Sequence, residues 1–133
     1  MRGEALLNHE LLSGLNVKCV EGFDEEYERI VQQKSNRERI DSKVVELLLF
    51  IHTVKLPSLF CEHGNIEKPK KTNGLYVIKI KIDCNIRILF SVEKDGTILL
   101  HTFEEKGGKD KTGYTHAIPI AEKRLATYKG GKR

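Results

Sequence analysis

The chain has 133 residues, 39% hydrophobic and 32% charged, with a formal net charge of +4. That length suits one domain around one core, and the composition excludes disordered, collagen-like and membrane-spanning classes. The mild positive balance leans towards anionic partners but says nothing about fold.

Three cysteines, Cys19, Cys61 and Cys84, are scattered along the chain. An odd number without a secretory signal points to a reducing cytoplasm rather than a disulfide framework. Cys61 and His63 form a lone C-x-H pair. A four-ligand zinc site needs a second pair, so neither a metal nor another cofactor is expected. Arg2, Glu4, His9 and Glu10 interrupt the N-terminus, which reads as neither a signal peptide nor a membrane span.

In residues 1–14, Leu6, Leu7 and Leu11 recur at helical spacing and Ser13-Gly14 supplies a stop. This segment is an arm or short helix ahead of a main domain at 15–128. Asn16 to Val20 reads as a first strand. Phe23, Tyr27, Ile30 and Val31 then make one apolar helical stripe, with Asp24 as its cap and Glu25 and Glu26 in the first turn. Ser35-Asn36-Arg37-Glu38 has the capping-box form. It opens a second helix striped by Ile40, Val44, Leu47, Leu48 and Ile51, which Pro57 should end. Two helices so closely linked predict a hairpin.

Residues 57–74 hold Pro57, Gly64, Pro69 and Asn73-Gly74, and read as a loop with a basic end at Lys68, Lys70 and Lys71. Three strands follow at 75–82, 86–92 and 97–103. Their short links, Asp83-Cys84-Asn85 and Glu93 to Gly96, predict an antiparallel meander. Pro119 suits an early helical position. Ile118, Ala121 and Leu125 give a short last helix, and residues 129–133 a flexible basic tail.

The expected fold is therefore α+β, in the order β-α-α-β-β-β-α. A helical hairpin covers one face of a small, mainly antiparallel, four-stranded sheet. Alternation assigns the faces. Tyr76, Ile78, Ile80, Ile82, Ile86, Ile88 and Phe90 face the helices. Lys79, Lys81, Arg87 and Ser91 face away, onto an open and hollow surface.

A surface carrying Lys79, Lys81 and Arg87 has two readings: a solvated sheet face, or a cradle for phosphate. Arginine grips phosphate through two parallel hydrogen bonds, and lysine acts as a point charge. Such groups stabilise the charge that builds on phosphorus when an RNA 2'-hydroxyl attacks the adjacent phosphate, and a lysine among cations can serve as base. Beyond the last strand stand Lys106, Lys109, Lys111, Tyr114 and His116. Histidine suits proton transfer near neutrality, and tyrosine can stack on a base or orient a phosphate. His116 reads equally as an ordinary residue at the start of the last helix. His101 reads as a histidine bonded within the fold at least as well as a catalytic one.

The stretches Gly74-Leu75-Tyr76-Val77-Ile78-Lys79, Ile86-Arg87-Ile88-Leu89-Phe90 and Leu99-Leu100-His101-Thr102-Phe103-Glu104-Glu105-Lys106 together resemble the phage-derived, HigB-like branch of the RelE/ParE toxin superfamily. That branch carries a G-L-Y-E-L-R strand, a Y-R-hydrophobic strand and an L-H-G-F-x-K-K end. It then has K-T-P before a helix with an I-x-x-A pattern, which Lys111-Thr112-Gly113 and Ile118-Pro119-Ile120-Ala121 echo. The chain departs from the pattern at four positions. Val77 replaces glutamate, Lys79 replaces arginine, Glu105 replaces the first lysine of the pair, and Gly113 replaces proline.

The resemblance implies the toxin of a type II toxin–antitoxin pair, a ribosome-dependent mRNA endoribonuclease that works without metal. It implies a cognate antitoxin, often with a helix-turn-helix domain, as partner. Carried over, Arg87 would hold transition-state charge with Lys79 and Lys106 beside it. Tyr114 or His116 would orient or transfer a proton, and Lys81, Lys109 and Lys111 would hold RNA backbone. Two other functions fit the same layout: inhibition of DNA gyrase, as in the ParE branch, and a non-toxic binding module, for which Val77 and Glu105 speak.

Overall fold

The structure, a computed structural model, describes residues 9–72, 74–105 and 111–131. Helix α1 (His9–Gly14) leads to strand β1 (Val17–Cys19), then α2 (Phe23–Val31) and α3 (Arg37–Val54). A 3-10 helix (Pro57–Glu62), β2 (Ile66–Glu67), β3 (Tyr76–Ile80), β4 (Ile86–Glu93), β5 (Gly96–Glu104) and α4 (Lys111–Gly130) complete the order. Among the described residues one sheet runs β1-β5-β4-β3-β2. β1 is parallel to β5, and every other neighbouring pair is antiparallel. The molecule is α+β with a mixed, open sheet.

The sheet has one strand more than expected. Residues 57–74 are not all loop: Ile66 and Glu67 pair with Ile78 and Val77. The Asn65 side chain extends the pairing by donating to the Lys79 carbonyl at 2.8 Å.

Both helix starts differ from expectation. α2 begins at Phe23 after Gly22, whose φ is 97°, so Asp24 lies inside the first turn rather than capping it. A Cβ on Gly22 would stand 3.1 Å from the Arg124 guanidinium. α3 starts after Asn36 and no side chain caps it. Asn36 instead donates to the Ile82 carbonyl at 2.8 Å, tying the helix to the end of β3. The helix stops at Lys55, in the left-handed region with φ 65°, before Pro57 is reached. Pro57 opens the 3-10 helix, where its missing N–H is no loss.

Two apolar layers sandwich the sheet. On one side Phe23, Tyr27 and Val31 of α2 and Ile40, Val44, Leu47, Leu48 and Ile51 of α3 meet Tyr76, Ile78, Ile80, Ile86, Ile88, Phe90 and Leu99. The even-numbered residues of the alternating strands thus face these helices, as their period demands. On the other side Ala117, Ala121 and Leu125 of α4 meet Leu75, Val77, Leu89, Ile98 and Leu100.

This second layer lengthens the last helix. α4 starts at Lys111, so Pro119 is in its interior rather than near its start, and Lys129 and Gly130 belong to it rather than to a tail. An interior proline costs about 3 kcal/mol. Three small or apolar side chains at four-residue spacing bury one face of α4 on the sheet, and that burial outweighs it.

Two local features fix the register. β4 and β5 slip at Leu89/Phe90: Leu89 pairs His101 and Phe90 pairs Leu99, leaving Leu100 as a bulge. Where β1 meets the β4–β5 turn, Gly96 has φ 131°, and a Cβ there would lie 2.3 Å from the Asn16 carbonyl oxygen. Glycine is required for that approach.

Candidate functional site

The face under α4 changes character along the strands. Under Ala117, Ala121 and Leu125 it is apolar. Towards the start of α4 it becomes ionic. Lys79 of β3 pairs with Arg87 of β4, and Arg87 with Phe103 of β5, so these three side chains stand in one row across the sheet. Glu67 of β2 stands opposite Val77, one step away.

Contacts close the row. Lys79 Nζ lies 3.2 Å from Glu67 Oε1, and the Tyr114 hydroxyl donates to Glu67 Oε2 at 3.0 Å. Arg87 Nη2 meets Glu105 Oε1 at 2.5 Å, and their side chains are only 8% and 6% exposed. Phe103 meets Tyr114 edge-on, with ring centroids 5.9 Å apart. The Glu105 backbone is pinned, its N–H donating to the Asn85 carbonyl at 2.8 Å. Arg87 Nε and Nη1 and Glu105 Oε2 are buried without a hydrogen-bond partner among the described residues.

These contacts settle the charge states. Burial pushes the Glu67 carboxyl up, but hydrogen bonds from Lys79 and Tyr114 and the charges of Lys79 and Arg87 outweigh it, and its pKa falls below the ordinary value. Burial, with the Glu67 carboxylate second, drives the Tyr114 phenol well above its ordinary value. Tyr114 thus keeps its proton and donates it in a hydrogen bond to the Glu67 carboxylate. The row holds two carboxylates and two cations, so its formal charge is balanced.

The expectation of an open, hollow basic face is corrected. α4 covers that face; Arg87 is 6% and Ser91 1% exposed. Apolar residues on that side, Val77 and Leu89, need a cover, and α4 supplies it. Lys79 is the positive half of an ion pair, not a lysine among cations alone. Lys81 lies past the end of β3 and is exposed. His116 is exposed on α4. Lys106 and Lys109 lie outside the described residues, as does the side chain of Lys111.

A second polar cluster adjoins the first. Opposite Leu89, His101 stands on the α4 side, and its ring stacks on that of Phe103 at 6.1 Å. Its Nδ1 is 3.0 Å from Glu26 Oε1, which also accepts from Arg124 Nη1 at 2.9 Å. Arg124 reaches the Leu100 carbonyl as well, at 3.0 Å, so α2, β5 and α4 are joined at one point. Burial lowers the pKa of His101 despite Glu26. Burial raises that of Glu26, but bonds and charge from Arg124 and His101 bring it below the ordinary value. His101 is therefore a fold-bonded histidine in this structure.

Cys61 is exposed, and His63 Nδ1 accepts from the Asn65 N–H at 3.2 Å. Among the described residues no three histidine, cysteine or acidic side chains gather as metal ligands, and no helix is long and apolar enough to cross a membrane. Two grooves, of about 660 and 570 Å³, lie elsewhere, one between Val20 and α4 and one beside Phe23 and Tyr27; neither includes Arg87 or Lys79.

Sequence reasoning missed Glu67, Glu26 and Arg124. Nothing local marks Glu67, because its role depends on a two-residue strand. No protein-family model, curated protein or solved structure matches the chain.

Proposed function

We propose that the chain is a toxin-type endoribonuclease of RelE-like topology that cuts ribosome-bound mRNA, with a helix-turn-helix antitoxin as its partner. One observation carries this reading. Arg87 is a buried guanidinium with two N–H-bearing nitrogens, Nε and Nη1, left without partners among the described residues, in a row with Lys79, Glu67 and Tyr114. Buried donors without partners are costly, and a phosphate presents the oxygens that would satisfy them. The Glu67 carboxylate supports the same reading. It stands opposite Val77, the position where the resembled strand carries glutamate.

The chemistry follows from these groups. The 2'-hydroxyl oxygen attacks the adjacent phosphorus while its proton passes to Glu67. Charge on the five-coordinate phosphorus is held by Arg87 and Lys79. The bond from phosphorus to O5' breaks. Lys79 gives that oxygen a proton and regains one from Glu67, with which it shares an ion pair. The products are a 2',3'-cyclic phosphate and a 5'-hydroxyl end. Tyr114 orients Glu67 throughout.

Inducible expression with mapping of transcript ends tests the reading. Growth arrest with codon-linked mRNA breaks is expected. The Arg87→Gln/Glu105→Gln double variant, which removes both buried charges together, should abolish the breaks. Arrest with a DNA-damage response and intact mRNA would move the reading to gyrase inhibition. A non-toxic binding module is the second reading, favoured by Glu105 already occupying Arg87; absence of arrest would support it.

A further inference from the structure

Glu105 lies against the buried Arg87 guanidinium. It is the only described carboxylate bonded to Arg87, and it meets the guanidinium through one oxygen while its second oxygen has no partner among the described residues. A well-made structural pair between these two groups is bidentate, with two parallel bonds. This one is not. Among the described residues the guanidinium has two donor nitrogens and the carboxylate one oxygen without a partner, and both groups are buried.

We propose that Glu105 is a built-in stand-in for a phosphodiester, which holds the Arg87 site closed and must swing aside before a nucleic-acid backbone can enter. This rests on the ribonuclease reading and names the regulation of that same site. The charge arithmetic selects the ligand. With Glu105 in place, Glu67 and Glu105 balance Lys79 and Arg87. With Glu105 withdrawn, the described groups of the row carry one positive charge. A phosphodiester brings one negative charge and two non-bridging oxygens, which matches what the carboxylate contributed; a phosphate dianion would overshoot.

The motion required is small. The Glu105 N–H is held by Asn85, so the backbone stays and the carboxylate leaves by side-chain rotation. Glu105 directly follows β5, one residue past the ladder that holds Glu104. Each withdrawal breaks a buried ion pair, so the closed form dominates and the ligand must displace it.

Binding of a labelled, uncleavable 2'-deoxy oligonucleotide to the full chain, at fixed low salt, tests the proposal. Glu105→Gln keeps the shape but removes the competing charge, and affinity should rise roughly tenfold, equivalent to about 1.4 kcal/mol. Glu105→Asp keeps the charge with a shorter reach. It should rise less, and it serves if the glutamine variant does not fold. Arg87→Gln/Glu105→Gln should lose the gain. Equal affinity for the folded wild type and both single variants would overturn the proposal. RNA cleavage is measured separately. Tighter binding by Glu105→Gln with RNA left uncut by every variant would keep the phosphodiester site and sink the nuclease. Cutting by the wild type, with no gain on changing Glu105, would keep the nuclease and sink the stand-in.

Discussion

The two faces of the sheet are built differently. The α2–α3 face is a continuous layer of isoleucine, leucine and aromatic side chains, most of them wholly buried. The α4 face is apolar over only part of its length and ends in ion pairs, one of them buried. Burial of hydrocarbon is non-directional and tolerates substitution by similar volume. A buried charge tolerates nothing but its partner. The first face holds the fold together, and the second is where chemistry can be placed.

The largest expected effect tests that contrast at its sharpest point. Arg87→Gln alone leaves Glu105 charged and buried, and should cost about 3–5 kcal/mol in denaturant unfolding. Adding Glu105→Gln should recover most of it, a coupling that a double-mutant cycle measures directly. An additive result would mean that the pair is solvated. On the other face Ile88→Ala, at a site with no exposure, should cost roughly 2–5 kcal/mol, and no second polar change should rescue it.

The α2–α3 side carries a polar cluster that sharpens the comparison. The Tyr27 hydroxyl donates to Asp41 at 2.5 Å, and Arg37 bonds both Asp41 and Glu28. Tyr27→Phe leaves Asp41 still bonded to Arg37, so a loss of about 1–3 kcal/mol is expected, smaller than at Arg87.

Acid should act on the α4 side in two steps. The pKa of His101 is lowered in the fold, so its contribution is complete above the ordinary 6.5 and falls as pH drops below it, because the unfolded chain takes the proton first. The carboxyls of Glu26 and Glu67 are also lowered; their contribution is complete above 4.5 and is lost as pH falls through their folded values. Unfolding followed against pH should show both steps, and His101→Gln should remove the upper one and, by taking a partner from Glu26, shrink the lower.

The α2–α3 face was legible because its signal is periodic. Ile78, Ile80, Ile86 and Ile88 alternate with polar residues, and alternation needs no tertiary information. The α4 face was legible only in part. Lys79 and Arg87 were placed on the correct side, but Val77 and Leu89 beside them are apolar and signalled that the side is covered. Glu67 was invisible because two residues leave no pattern. Alternation does not carry to His101, because the bulge at Leu100 breaks it at the slip between Leu89 and Phe90. Pro119 misled because its cost is local, whereas the packing that overrides it spans Ala117 to Leu125.

The parallel pairing of β1 with β5 has a consequence for assembly. Val17 finds its partner only at Thr97, and the seat that receives Asn16 is Gly96. β1 is thus synthesised long before the strand that receives it, and a nascent chain shorter than the β4–β5 turn has nowhere to put it. Such distant closure slows folding. A chaperone that shields Val17 and its neighbours during that interval would speed recovery of native protein, whereas Gly96→Ala would prolong the wait by obstructing the seat itself.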